Sequence, residues 1–343
     1  MIKSDEKQIN YPFERLIAGA LAEFPRDALF ITAVSGGADS IAMLLSLARL
    51  GTYRLHCLHV NHGIRAPEEH SGDEEAVRSL CGRLGIPLTV VSSPQGEIIR
   101  TSKGIGVEAC ARLFRRKAWT QELHRLGALR VLTAHTRDDL LETVLMRILR
   151  GSGPSGLRGI SQDNGLVFRP LLALTRTDVL NYLETLNVSF RNDPSNMDVR
   201  FLRNRIRHVL IPVLDKSFPD WRKSVFSFTE TQSLTAEFLE KEAADRIKWA
   251  ETENSHTLWT EKKTFFQAPL VVREQALFYA VDCIFSQLDE QKMSAPRRSV
   301  IRLFCQGNAR GATRVVDAGM VVIAARGKRI IVSAKTNQTR NIT

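Results

Sequence analysis

Ala28 to Leu50 reads ALFITAVSGGADSIAMLLSLARL. Its opening, ALFITAV, is a short apolar run of the kind a strand buried on both faces shows, and its close, IAMLLSLARL, has the make-up of a well-buried helix. Between them Ser35, Gly36, Gly37, Ala38, Asp39 and Ser40 turn the chain through a pair of glycines. A strand that bends this way into a helix aims several backbone N–H groups, and the positive end of the helix dipole, at one point. The turn is therefore predicted to cradle phosphate. It is neither G-x-x-x-x-G-K-S/T nor G-x-G-x-x-G, so the two commonest phosphate loops do not account for it. Asp39 narrows the ligand, because a carboxylate beside phosphates repels them unless a cation such as Mg2+ lies between. The loop thus predicts a metal-bound nucleotide with Asp39 at the metal. A plain strand-to-helix turn with a serine or aspartate cap is the competing use of the same residues.

Further apolar runs bounded by turn signals lie at 54–60 (RLHCLHV), 87–92 (PLTVVS) and 129–135 (LRVLTAH), with a weaker fifth at 166–171 (LVFRPL). Strands of this kind alternating with helical segments predict an α/β fold, a doubly wound parallel sheet of five strands, with ligands at the carboxyl ends. The remaining motifs follow those ends: His59-Val60-Asn61-His62-Gly63-Ile64-Arg65, then Ala134-His135-Thr136-Arg137-Asp138-Asp139-Leu140-Leu141-Glu142-Thr143, then Arg150-Gly151-Ser152-Gly153. Asp139 and Glu142 are three apart on a predicted helix and share a face. Asp138 beside them has two readings, helix cap or metal neighbour.

The chain has 343 residues, enough for two or three domains, with 43% hydrophobic and 25% charged residues, which excludes a disordered, collagen-like or disulfide-scaffold protein. No apolar stretch reaches ~18 residues, so a soluble, cytoplasmic protein without a membrane segment is expected. The five cysteines are widely spaced and never paired as C-x-x-C, which argues against a disulfide framework or a cysteine-held metal. The net charge of +11 is unevenly placed. Residues 217–291 carry 8 Lys and Arg against 13 Asp and Glu, whereas 292–343 carry 11 against Asp317 alone. Three regions are expected: a nucleotide-binding domain over 1–215, with Pro212 and Pro219 near its end, an acidic helical connector over 216–291, and a small basic α+β tail over 292–343. In the tail VIRLF, TRVVDAGMVVIAA and KRIIVSA read as short strands.

The loop resembles the S-G-G-x-D-S signature of the PP-loop ATP pyrophosphatases, and the ordered motifs over about residues 28–215 together resemble the tRNA(Ile)-lysidine synthetases. That resemblance implies the use of ATP and Mg2+ to attach free lysine to the wobble cytidine of a tRNA(Ile) with a CAU anticodon, through an adenylated cytidine. It implies that Ser35, Gly36, Gly37, Ala38, Asp39 and Ser40, with His59 and His135, hold the nucleotide; His135 reads equally well as an orienting residue. Asp139 and Glu142 would hold the lysine ammonium, and one of them would take its proton, since a free lysine amine has a pKa of ~10.4. Glu108, Arg112 and Arg115 match the family's Glu, Ala-Arg and Arg-Tyr helix, Arg112 with a catalytic part, while Arg116 stands where that helix has its tyrosine. The segment from Asp193 to Leu214 resembles the family's D-x-S-N and R-N-x-I-R, making Arg203, Arg205 and Arg207 candidates for substrate binding, with Arg203 and Arg207 one turn apart. A homodimer is compatible with the reading.

Three rivals stand beside it. A tRNA thiolase of the same superfamily needs reactive cysteines, and only Cys110 lies near a motif. A small-molecule ligase explains the loop but not the basic tail. A non-catalytic RNA-binding protein would tolerate loss of Asp39. In the tail Arg297, Arg298, Arg302, Arg310, Arg314, Lys328 and Arg329 are the candidates for phosphate contacts to RNA.

Overall fold

The computed structural model describes residues 11–64, 67–102, 106–190, 199–252, 256–287, 297–307, 314–317 and 321–335. Arg65, Asp193, Asn196 and Arg310 lie outside these. The elements of the first part follow the sequence pattern closely. They are α1 (Pro12–Ala20), β1 (Leu29–Ala33), α2 (Ala38–Leu50), β2 (Arg54–Asn61), α3 (Pro67–Leu84), β3 (Leu88–Ser92), α4 (Glu97–Thr101), α5 (Val107–Leu126), β4 (Arg130–Leu132), α6 (Arg137–Leu149), α7 (Pro154–Leu157), β5 (Val167–Phe168) and α8 (Arg176–Thr185).

The five strands form one sheet in the order β3-β2-β1-β4-β5, every neighbouring pair parallel. Successive strand residues alternate between two cores. Phe30, Cys57, Leu132 and Phe168 face the larger one, shared with Ile17 of α1, Leu44 of α2 and Leu183 of α8. Ile31, Leu58, Val131 and Val167 face the other, beside Trp119 and Leu123 of α5. Burial on both faces is why the strands read as continuous apolar runs rather than alternating ones. Inside the larger core the Glu14 carboxylate accepts from Arg49 Nε at 2.6 Å and from Tyr182 Oη at 2.7 Å, tying α1 to α2 and α8.

Helix α9 (Leu202–Arg205), a π-helical turn (Ile206–Leu210) and α10 (Ile211–Ser217) run on without a break. Pro212 sits inside this run. It has no N–H to give to the His208 carbonyl, and the wider turn just before it is where the hydrogen-bond ladder adjusts.

The chain divides into two compact units, 1–149 with 159–226, and 150–158 with 227–343. The first therefore runs past the prolines near 215, to Phe226 within α11 (Trp221–Arg246). The second contains β6 (Ala250–Glu251), β7 (Thr257–Glu261), α12 (Lys262–Gln267), α13 (Leu270–Gln287), α14 (Arg298–Cys305), β8 (Arg314–Asp317), β9 (Val321–Arg326) and β10 (Arg329–Ala334). Its strands form an antiparallel sheet in the order β6-β7-β10-β9-β8.

Two sequence expectations change here. The connector over 216–291 and the tail over 292–343 share one core, in which Phe265 and Leu277 pack with Ile301, Phe304, Ile323 and Val332. The connector is also not wholly helical, since β7 pairs with β10. VIRLF, read as a strand, lies in the helix α14: Ile301, Phe304 and Cys305 are spaced for one helical face and are all buried.

Candidate active site

The loop after β1 is held by its own serines. Ser40 Oγ donates to Gly37 O at 2.9 Å and accepts from Ser35 N at 3.2 Å, closing the turn at the N-terminus of α2. Gly36 has φ of +93°, a conformation that a side chain resists. Gly37, at φ −78°, is the N-cap residue of α2 and supplies no side-chain cap of its own.

Asp39, in the first turn of α2, has one oxygen paired and one not. Its Oδ2 accepts from Arg176 Nη1 at 2.8 Å. Its Oδ1 is buried with no hydrogen-bond partner among the described residues. Burial raises the Asp39 pKa against the pull of Arg176, and the charge of Asp139 raises it further. A buried, unpaired carboxylate oxygen at a phosphate-type loop fits a divalent cation. No group of three or more His, Cys, Asp or Glu among the described residues could hold an ion by itself. A single carboxylate completed by phosphate oxygens and water is the way Mg2+ is commonly bound.

Sheet order explains how a second cluster comes near. From β1 the chain winds to β2 and β3 on one side and later to β4 and β5 on the other, so the point between β1 and β4 is the topological switch point. The loop follows β1, and α6 follows β4. Near the start of α6, Asp139 Oδ2 accepts from Thr136 N at 2.8 Å, while its Oδ1 accepts from Arg203 Nη2 at 2.6 Å. One turn on, the Glu142 side chain is 1% exposed; its Oε2 accepts from Arg203 Nε at 2.7 Å and its Oε1 from Arg207 Nε. Arg203 and Arg207 do share a face, as their spacing predicts, and that face is turned on the two acids. Burial works against ionisation of Asp139, but the Arg203 guanidinium, the Thr136 N–H and Arg207 outweigh it, and its pKa lies below the usual carboxylate range.

More cations gather around this pair. His135 is neutral: burial, with Arg169, Arg203 and Arg115 acting in the same sense and Asp139 against, pushes its pKa down to about 4. Its Nδ1 lies 3.0 Å from Thr133 Oγ1. Burial and the nearby charge of Arg112 also lower the pKa of Arg115 and of Arg169. Glu108 and Arg112 are themselves exposed.

The remaining predicted residues have the following surroundings. His59 is 5% exposed and its Nδ1 faces Val34 O at 2.8 Å. A carbonyl only accepts, so that nitrogen carries the proton, and the ring braces the strand end leading into the loop. Arg205 is exposed, off the face that Arg203 and Arg207 present. Asp138 lies inside α6 and is not its cap: it accepts from Arg176 N at 2.7 Å and from Arg222 Nη1 at 3.0 Å. Cys110 is buried, with Sγ 3.2 Å from Thr101 Oγ1. Arg176 and Arg222 were not singled out in the sequence. The signal for Arg176 is a capping pattern around Thr175 and Asp178, which places it at the start of α8.

In the second unit, Arg298 Nη2 and Arg302 Nε each donate at 2.6 Å to Glu274, whose side chain is 1% exposed. These two expected RNA contacts are thus engaged internally. Arg297, Lys328 and Arg329 are exposed, Arg329 with its guanidinium 4.0 Å from the centre of the Trp259 ring. Gly153 of the Arg150–Gly153 motif lies so close to the Arg298 guanidinium that a Cβ there would collide with it.

The chain is 39% identical over 232 residues to the tRNA(Ile)-lysidine synthase of Treponema pallidum, covering 65% of this chain and 48% of that protein. It is 34% identical over 253 residues to the tRNA(Ile)-lysidine synthase of Thermus thermophilus, covering 74% and 48%. It spans about half the length of these curated relatives. Among solved structures, the U34-tRNA thiolase NcsA of Methanococcus maripaludis matches with a TM-score of 0.52 at 19% identity, over 64% of this chain and 77% of that one, a likeness of fold. No described helix is long and apolar enough to cross a membrane. The profile of the PP-loop domain matches residues 6–214, which is more than half of the chain and contains both the loop and the paired acids. The chain belongs to the PP-loop domain family.

Proposed function

We propose that this chain uses ATP to join free lysine to the wobble cytidine of a tRNA(Ile) with a CAU anticodon. In the first step the cytidine O2 attacks the α-phosphorus of ATP and pyrophosphate leaves. In the second the lysine ε-amine attacks ring carbon 2, and AMP leaves with the oxygen. The observation that carries the reading is the closeness of two kinds of site at the switch point. Asp39 of the phosphate loop and Asp139 of the acid pair flank it, near enough for the charge of one to shift the other's pKa.

The loop from Ser35 to Ser40 holds the pyrophosphate end of ATP through backbone N–H groups other than that of Ser35, which donates to Ser40 Oγ. Asp39 would hold Mg2+, which when bound neutralises phosphate charge. Asp139 and Glu142 bind the lysine ammonium, and one of them takes the proton that the amine must lose before it attacks. Since both acids already accept from Arg203 and Arg207, the ammonium competes with or joins two guanidiniums. Arg112 and Arg115, with the neutral His135, face the acceptor RNA and the nucleotide. The lysidine synthase relatives support tRNA(Ile) as acceptor.

The test is incubation of the full chain with radiolabelled lysine, ATP and the CAU-anticodon tRNA, with ATP omitted in parallel. The expected result is ATP-dependent incorporation, with pyrophosphate and AMP released in equal amounts. Release of orthophosphate, or incorporation without ATP, overturns the proposal. Asp39→Ala is expected to abolish incorporation while tRNA binding survives. Cys110→Ala is expected to keep it, and its loss would favour thiolation.

A further inference from the structure

Among the described residues, Asp39 Oδ2 takes a side-chain hydrogen bond from Arg176 alone, at 2.8 Å and from 137 positions further along the chain. Arg176 is itself held from several sides. It opens α8, whose N-cap Thr175 and Asp178 form a reciprocal capping box. Its backbone N–H donates to Asp138 Oδ2 at 2.7 Å. The other oxygen of Asp138 accepts from Arg222 Nη1 at 3.0 Å, and Arg222 grips Asp215 through two bonds of 2.9 Å each. Asp39, Arg176, Asp138, Arg222 and Asp215 thus alternate in charge, from the loop to α10 and α11.

We infer that Arg176 is the positioning residue of the phosphate loop: it fixes the Asp39 carboxylate through Oδ2 and leaves Oδ1 as the oxygen offered to a divalent cation carried by the nucleotide. This rests on the proposed nucleotide reading. A carboxylate on a helix end has several rotamers, and only a fixed one presents an oxygen at a constant place. Contact through a single guanidinium nitrogen, rather than a two-pronged grip, is what keeps Oδ1 available. The rival role for Arg176 is that of a counter-ion competing with the cation for Asp39, and it makes the opposite prediction on metal affinity.

The experiment titrates Mn2+ into the purified full chain with the ATP analogue α,β-methylene-ATP, reading bound Mn2+ by electron paramagnetic resonance. Nucleotide binding without metal and thermal unfolding are followed alongside. Arg176→Met keeps Thr175 and Asp178, so the cap of α8 survives. The Mn2+ concentration at half-saturation is expected to rise by about 10- to 100-fold, the usual cost of losing a group that orients a metal ligand. Metal-free nucleotide binding should change less, and Arg176→Lys should recover most of the loss. If Arg176→Met unfolds, Arg176→Ala, which also removes the donor, takes its place with the same expectation. Unchanged or tighter Mn2+ binding in the variant overturns the inference and leaves the nucleotide reading standing. Failure of the unaltered chain to bind Mn2+ with the analogue overturns both.

Discussion

Arg203 Nε lies 2.7 Å from Glu142 Oε2, a contact between residues 61 apart in sequence. The same guanidinium reaches Asp139 Oδ1 at 2.6 Å, so one side chain spans both acids of α6. Two carboxylates facing two guanidiniums make a balanced group that is ordered before any substrate arrives. The ammonium proposed to enter it would meet acceptors already fixed in place, at the cost of competition with Arg203 and Arg207.

Removing either acid should separate lysine binding from nucleotide binding. Asp139→Asn and Glu142→Gln are each expected to raise the KM for lysine by about 10- to 100-fold, the worth of a hydrogen bond to a charged group, with ATP affinity little changed. Glu142→Ala should also cost ~2 kcal/mol in denaturant unfolding, below the ~3–5 kcal/mol of a fully buried pair because both arginines keep some water. Initial-rate kinetics and urea titration check the two parts, and an unchanged lysine KM would remove the acids from the lysine site.

His135 makes the stability depend on pH in a defined window. Its folded pKa of about 4 lies below the ~6.5 of an unfolded histidine, so between these values the unfolded chain binds more protons. The contribution is complete above ~6.5 and is lost as pH falls toward the folded value. His135→Gln should flatten the fall in melting temperature between pH 7 and pH 5, taken as a window around that ~6.5. A variant that loses stability as steeply as the parent would show that other groups set the profile.

Gly63 should not tolerate a side chain. Its φ is +60°, and a Cβ there would stand 2.7 Å from Ser93 O and 2.9 Å from Pro94 O, both of them backbone atoms. Gly63→Ala is expected to lose about 1–3 kcal/mol and to displace the segment after β2. Gly82, inside α3 with nothing within 4 Å of the place a Cβ would take, is the control, where alanine should gain about 0.5–1 kcal/mol. Paired melting curves decide, and equal effects at the two sites would contradict the structure.

Arginines in the second unit should separate by role. Arg298→Ala and Arg302→Ala are expected to lower the unfolding midpoint by releasing Glu274, with little change in the salt dependence of tRNA binding. Arg297→Ala and Lys328→Ala should leave the midpoint alone and lower the log-log salt slope by ~0.7 to 0.9 for each phosphate no longer neutralised. A reversed pattern would make the Glu274 cluster the RNA-facing one.

Where sequence and structure part company, the cause is periodicity or distance along the chain. VIRLF was ambiguous because so short a run fits period 2 and period 3.6 alike; burial of Ile301, Phe304 and Cys305 on one face settles it as helix. In β7, TLWTE carried a legible alternation, with Leu258 and Thr260 buried, but it sat among acidic helical segments that drew the whole region toward helix. His59 stood in a motif beside the site, yet the meeting of its Nδ1 with the Val34 carbonyl depended on how β1 and β2 pair.

From sequence alone came the five parallel strands, the glycine turn with Asp39 at the start of α2, and the shared face of Asp139 and Glu142. Each of these is encoded within a dozen or so neighbouring residues, by apolar runs, glycines and helical spacing. The partners of the charged groups were left to tertiary structure: Arg176 on Asp39, Arg203 and Arg207 on the acid pair, Arg298 and Arg302 on Glu274. Charge acts over a few ångströms of space whatever the separation along the chain, so only the packing of α2 with α8, of α6 with α9 and the π-helical turn, and of α13 with α14 could decide which opposite charges meet.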